Sequence, residues 1–169
     1  MRDDYKTFIK SLDDKLSTYF ERDKDKICCC KGCSACCKNA DFPLSFMEMK
    51  YLMQGFLRLD KLTHDKVRNN IKNVISSDEK NYTCPFLIDD LCSVYEYRPI
   101  ICRVHGLAWM RSDGIVNLPD CAKNGLNYSK NFDGKTVDFE PIKEDLNPIA
   151  LRKNKKIGFS EVKSMINWF

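Results

Sequence analysis

The sequence predicts a mainly α-helical domain with a small β-hairpin, its helices packed around an irregular centre lined by cysteines. Three observations carry this reading. Apolar residues recur at helical spacing through the first half of the chain. Short extended stretches bounded by turn residues begin only after Asn81. Six of the ten cysteines fall within ten residues, from Cys28 to Cys37, between two of the helical patterns. A length of 169 residues, 43% apolar and 31% charged, is that of one ordinary folded domain over residues 1–169.

From Asp4 to Lys24, the residues Tyr5, Phe8, Ile9, Leu12, Leu16, Tyr19 and Phe20 trace one face of an amphipathic helix that covers a core. After the cysteine run, Ser45 followed by Glu48 is a capping-box pattern. It opens a helix that uses Phe46, Met49, Tyr51, Leu52, Met53, Phe56 and Leu57. A third helix runs from Thr63 to Ser77 on Val67, Ile71, Val74 and Ile75, with His64 exposed in its first turn. Residues 84–95 read as two short extended pieces about Asp89-Asp90. Arg98-Pro99 starts a short helix bearing Ile100, Ile101, Cys102 and Arg103 that ends near Gly106. Leu107 to Met110 and Ile115 to Leu118 form a hairpin about Asp113-Gly114. Beyond Cys121, turns are expected at Asn124-Gly125 and Asp133-Gly134, an edge strand over 135–139, and helices over 144–152 and 160–169.

Thiols this dense call for a chemical reason. Two-residue spacers let neighbouring sulfurs turn toward one ion, as in zinc knuckles and ferredoxin runs. The triple Cys28-Cys29-Cys30 leaves three registers: C-x2-C-x2-C-C from Cys30, C-x3-C-x2-C from Cys29, and C-x4-C-x2-C from Cys28. The second is the spacing of radical S-adenosylmethionine enzymes, whose barrel of about 200 residues or more does not fit this chain. The third is that of plant ferredoxins, whose strand-rich domain the helical N-terminal half denies. The first register stands.

In that register Cys30-x2-Cys33-x2-Cys36-Cys37 is followed by Cys84-Pro85-Phe86-Leu87 and then by Cys92-x2-Tyr95-Glu96-x-Arg98-Pro99-x2-Cys102-Arg103. The pattern resembles the YkgJ-like cysteine-cluster family, a zinc- or iron-chelating domain with a CxxCxxCC signature. The likeness runs roughly from Cys30 to Cys121. It implies eight metal ligands: Cys30, Cys33, Cys36, Cys37, Cys84, Cys92, Cys102 and Cys121. Cys28 and Cys29 fall outside the pattern as bystanders. Eight thiols suit two four-cysteine sites, of zinc or of [4Fe–4S] type. Adjacent cysteines tend to project in different directions, so Cys36 and Cys37 are expected at different sites, or one as an outer donor. Residues 28–121 then form the metal-binding core and 122–169 an extension packed on it. Arg98 and Arg103 flank Cys102 and are candidates to donate hydrogen bonds to thiolate or sulfide; the alternative pairs Arg98 with Glu96 or Asp90. His105 is left off the ligand set.

The charged N-terminus has no apolar segment behind it, and no apolar run approaches the roughly 20 residues that span a bilayer. A cytoplasmic protein with reduced thiols is expected, without membrane insertion. Eight bound thiolates would outweigh the formal charge of +4, and two divalent ions would restore neutrality, so the excess of lysine and arginine does not argue for nucleic acid. The leading expectation is a metal-binding protein that holds iron–sulfur clusters or zinc in a redox, sensing or metal-handling role. A cluster-dependent enzyme akin to flagellin lysine methylases, which carry a similar signature on longer chains, is one alternative. A structural zinc module for a protein partner or RNA is another. No catalytic residue is assigned. The chain has two histidines and no Gly-rich nucleotide loop or Ser–His–Asp pattern.

Overall fold

A computed structural model describes residues 3–40, 42–78, 81–154 and 162–169. The architecture is mainly α with three two-stranded antiparallel pairs. The described residues fall into two compact units: 31–100 with 162–169, and 3–30 with 101–154.

In the first unit, β1 (Pro43–Ser45) runs directly into α2 (Phe46–Phe56). The capping box forms as the sequence predicts. Ser45 Oγ accepts from Glu48 N at 3.3 Å, and Ser45 N donates to Glu48 Oε2 at 2.8 Å. The Glu48 side chain is fully buried, and its second oxygen accepts the Ile100 N–H at 3.1 Å. Met49, Leu52 and Phe56 face the core, whereas Phe46 and Leu57 are exposed, so the buried stripe is narrower than the apolar pattern. Gly55 lies against the Tyr97 ring, where an added Cβ would stand 2.6 Å from ring carbons.

Helix α3 (Lys61–Ile75) starts two residues earlier than the apolar pattern, because Asp60 caps it by accepting from Thr63 N. It buries Val67 and Ile71, while Ile75 is exposed. His64 is partly covered, its ring stacked on Phe56 at 4.2 Å. Strands β2 (Leu87–Ile88) and β3 (Leu91–Cys92) close the expected tight hairpin. Both central residues, Asp89 and Asp90, take positive φ, as its turn requires.

The expected C-terminal helix is corrected. Ser160 lies outside the described residues. Beyond it, Val162–Ser164 forms β6, paired with β1, and a 3-10 turn follows over Met165–Trp168. Pairing with β1, together with burial of Met165, outweighs the weak local preference for helix.

In the second unit, α1 (Asp3–Arg22) buries Tyr5, Phe8, Ile9, Leu12 and Leu16 as predicted. Helix α4 (Ile100–Val104) follows Pro99. The hairpin β4 (Trp109–Met110) and β5 (Val116–Asn117) turns at Gly114, φ +82°. Two expectations fail here. Residues 135–139 make no strand and only one bridge, Phe132 to Val137. The Asp133 carboxylate binds the Lys135 and Thr136 N–H groups and commits that backbone to a turn. Helix α5 spans Pro148–Asn154 rather than starting at Glu144. Asp145 accepts from Asn147 N and Asn147 from Ile149 N, which uses 145–147 as a lead-in, and proline takes the first helical position.

Candidate metal centre

None of the ten cysteines is joined in a disulfide. Cys33, Cys36, Cys37, Cys84 and Cys92 lie in the first unit. Cys30, Cys102 and Cys121 lie in the second, with Cys28 and Cys29.

The first unit folds the cysteine loop onto the hairpin. Residues 35–37 form one 3-10 turn, so Cys36 and Cys37 follow its tight curvature. Cys84 N donates to the Cys37 carbonyl at 2.7 Å, and Ala40 pairs with Tyr82, which draws the Cys84 segment alongside. Ser34 Oγ donates to Asp90 Oδ1 at 2.6 Å, and Lys38 Nζ lies 2.7 Å from the same oxygen, so the loop is tied to the hairpin turn on both sides of the thiols.

The sulfurs of Cys36 and Cys37 stand 3.9 Å apart. The two sulfurs approach each other even though successive residues of a 3-10 turn project about 120° apart. With metal–sulfur bonds near 2.3 Å, two corners of a zinc tetrahedron lie about 3.8 Å apart, so this pair fits a single ion.

The Cys37 thiol donating to Cys36 brings Cys36 down to about 7, with Arg98 adding to the effect and burial opposing it. Burial pushes the Cys84 thiol up to about 12, and the neighbouring Cys92 and Cys36 act in the same direction. Burial also raises Cys92, against the pull of Arg98. These mutual effects make Cys36, Cys37, Cys84, Cys92 and Arg98 one electrostatic neighbourhood. Among the described residues, no set of three or more His, Cys, Asp or Glu side chains is already gathered in metal-holding positions.

Arg98 stacks over the Tyr95 ring at 3.5 Å and donates to the Tyr95 carbonyl at 3.0 Å, which holds its charge beside the thiols. Asp90, one of its conceivable partners, is engaged by Ser34 and Lys38. A cleft of about 290 Å³ opens next to Cys92, lined by Arg58, Tyr95, Glu96 and Tyr97.

In the second unit Arg103 is buried and ion-paired with Asp13 of α1. Cys121 is buried in a 3-10 turn over Asp120–Asn124, and Cys102 is half-buried on α4. His105 is held below its ordinary range by burial, so the imidazole is neutral at physiological pH. Cys33 and Cys30 are exposed. Sequence reasoning missed Asn127, a buried amide that donates to Cys29 Sγ at 3.0 Å. A lone Asn after Gly125-Leu126 carries no periodic or spacing signal that marks it.

A family model described as "CxxCxxCC: Putative zinc- or iron-chelating domain" matches residues 29–129. No curated protein and no solved structure matches the chain.

Proposed function

The chain belongs to the CxxCxxCC family of zinc- or iron-chelating domains, and from that premise we propose that it chelates zinc or iron through cysteine thiolates in a redox, sensing or metal-handling role. Cys36 and Cys37 would be the nucleating pair, with Cys84 and Cys92 completing a four-sulfur site in the first unit. The 3.9 Å separation of the two sulfurs carries the reading, because it already has the edge length of a tetrahedral thiolate site. Cys30, Cys33, Cys102 and Cys121 are the remaining ligand candidates.

The chain's own residues prepare the site in three ways. Cys37 donates to Cys36 and favours its thiolate, the form that binds metal. Arg98 is fixed on Tyr95 and balances negative charge at Cys36 and Cys92. The cleft lined by Cys92, Tyr95 and Tyr97 opens the Cys92 edge of the proposed site to solvent. The half-buried thiols Cys84 and Cys92 resist ionisation while metal is absent, so ion capture would release their protons and draw the hairpin toward the 3-10 turn. A bound zinc would supply a closed, redox-inert site; iron or an iron–sulfur cluster would supply electron transfer.

The test is the optical spectrum of protein purified without oxygen, with iron, sulfide and zinc assayed on the same sample. Broad absorption near ~400 nm with matched iron and sulfide assigns a cluster and a redox role. A colourless protein with stoichiometric zinc assigns a zinc site. Protein that takes up neither metal after reduction and reconstitution would overturn the reading.

A further inference from the structure

We propose that the cleft between the end of α2 and residues 92–97 is a binding site for a small aromatic monocarboxylate, anchored by Arg58. The site goes beyond metal chelation and does not depend on it, although its ligand would lie against the Cys92 edge of the proposed metal centre.

The charge of the site comes from Arg58. Arg22, Arg103 and Arg111 are each paired with an aspartate. Arg58 instead donates through Nη1 to Tyr97 Oη, its guanidinium 5.5 Å from the centre of that ring, and it has no carboxylate partner among the described residues. A neutral phenol therefore places the cation without cancelling its charge. Nε and Nη2 have no partner among the described residues. Two parallel N–H groups along that guanidinium edge match the two oxygens of a carboxylate.

Tyr97 is itself held on two sides. Its ring packs on Gly55, where the absence of a Cβ makes the space, and lies 5.1 Å from the Tyr51 ring. Tyr51 Oη in turn donates to the Glu96 carbonyl at 3.2 Å. The guanidinium is thus placed by a ring that α2 and the 3-10 turn over Tyr95–Tyr97 grip together. A cation preset in this way loses less side-chain freedom on binding than one on a loose stem.

The rest of the lining sets the ligand's chemistry. A volume of about 290 Å³ is at the small end of ligand sites, which run upward from roughly 300 Å³, and suits a single ring with its substituent. Tyr95 and Tyr97 both line the cleft, and Tyr95 is 57% exposed, so flat apolar surface is available for a ring to pack on. Arg98, stacked on Tyr95 at 3.5 Å, steadies that wall as well. Glu96 adds one negative charge to the lining beside the one positive charge of Arg58. That repels phosphates and polycarboxylates and favours a ligand with a single negative charge.

The experiment is a calorimetric titration of the reduced full chain, as purified without oxygen, with benzoate as probe. Saturable binding of one benzoate per chain is expected. Benzamide keeps the ring and loses the charge, and phosphate keeps charge and loses the ring; each should bind at least about tenfold more weakly. Arg58→Gln removes the guanidinium from an exposed side chain, and it should weaken benzoate by about 10–100-fold while leaving benzamide unchanged. Tyr97→Phe keeps the ring but releases Arg58 Nη1, and it should give a smaller loss for benzoate alone. Absence of saturable benzoate binding, or binding that Arg58→Gln leaves intact, would overturn the proposal. Equal affinity for benzoate and phosphate would overturn it too, since any anion would then serve. The chelating function stands or falls separately, on the metal assay.

Discussion

At the scale of single residues, the second unit depends on a buried carboxylate that no motif marks. Asp23 is 3% exposed, receives a two-point contact from Arg22, and accepts from Tyr128 Oη at 2.8 Å. Burial alone would raise its pKa, but the bonds from Arg22 and Tyr128 leave the carboxyl below its ordinary range. A carboxyl whose folded pKa lies below the unfolded one stabilises the fold while ionised. That contribution is complete above the unfolded value of about 4 and disappears as pH falls through the folded value. Asp23→Asn should therefore cost about 2 kcal/mol at neutral pH, and its deficit against the parent should shrink in acid. Urea midpoints measured at neutral pH and in acid check this. A deficit independent of pH would show that packing, not charge, was lost.

At the scale of elements, one carboxylate serves two helix starts. Glu48 satisfies Ser45 N in the capping box and Ile100 N at the beginning of α4. Glu48→Ala leaves both buried donors without it and should cost about 3 kcal/mol, against about 1 kcal/mol for Ser45→Ala. A urea titration of the two variants tests the difference, and equal losses would mean that Ile100 N finds another acceptor. Gly55 makes a second test. Alanine is the better helix former by about 1 kcal/mol, yet its Cβ would meet the Tyr97 ring at 2.6 Å. Overpacking should win, lowering the midpoint of Gly55→Ala by a net 1 kcal/mol or so. A raised midpoint would show that Tyr97 yields freely.

The capping box, the Asp-Asp and Asp-Gly hairpins and the buried face of α1 were legible because each is decided by residues a few positions apart. The last strand was not, because Val162–Ser164 is extended only through its pairing with Pro43–Ser45 far back in the chain.

At the scale of the whole molecule, ligand loops rich in thiols gain much of their order from the metal they hold. Removal of metal by a strong chelator should lower the midpoint of thermal unfolding, and acid should release the metal as protons compete for the thiolates. Parallel melts with and without chelator test this. An unchanged midpoint in a protein shown to have lost its metal would mean that the helices stand without it. No helix among the described residues is long and apolar enough to cross a membrane.

By itself the sequence determined the mainly α character, the capped start of α2 and the family, since spacing and cap chemistry are local and the cysteine signature is written in order along the chain. It also supplied every thiol, but not their grouping. Tertiary structure decided that the sulfurs of Cys36 and Cys37 stand 3.9 Å apart, and that Cys84 and Cys92 share a neighbourhood with them and with Arg98. It alone put a buried amide 98 residues away against Cys29. The reason is physical: a hydrogen bond between distant segments is fixed by packing, and the residues that make it carry no periodicity from which it could be read.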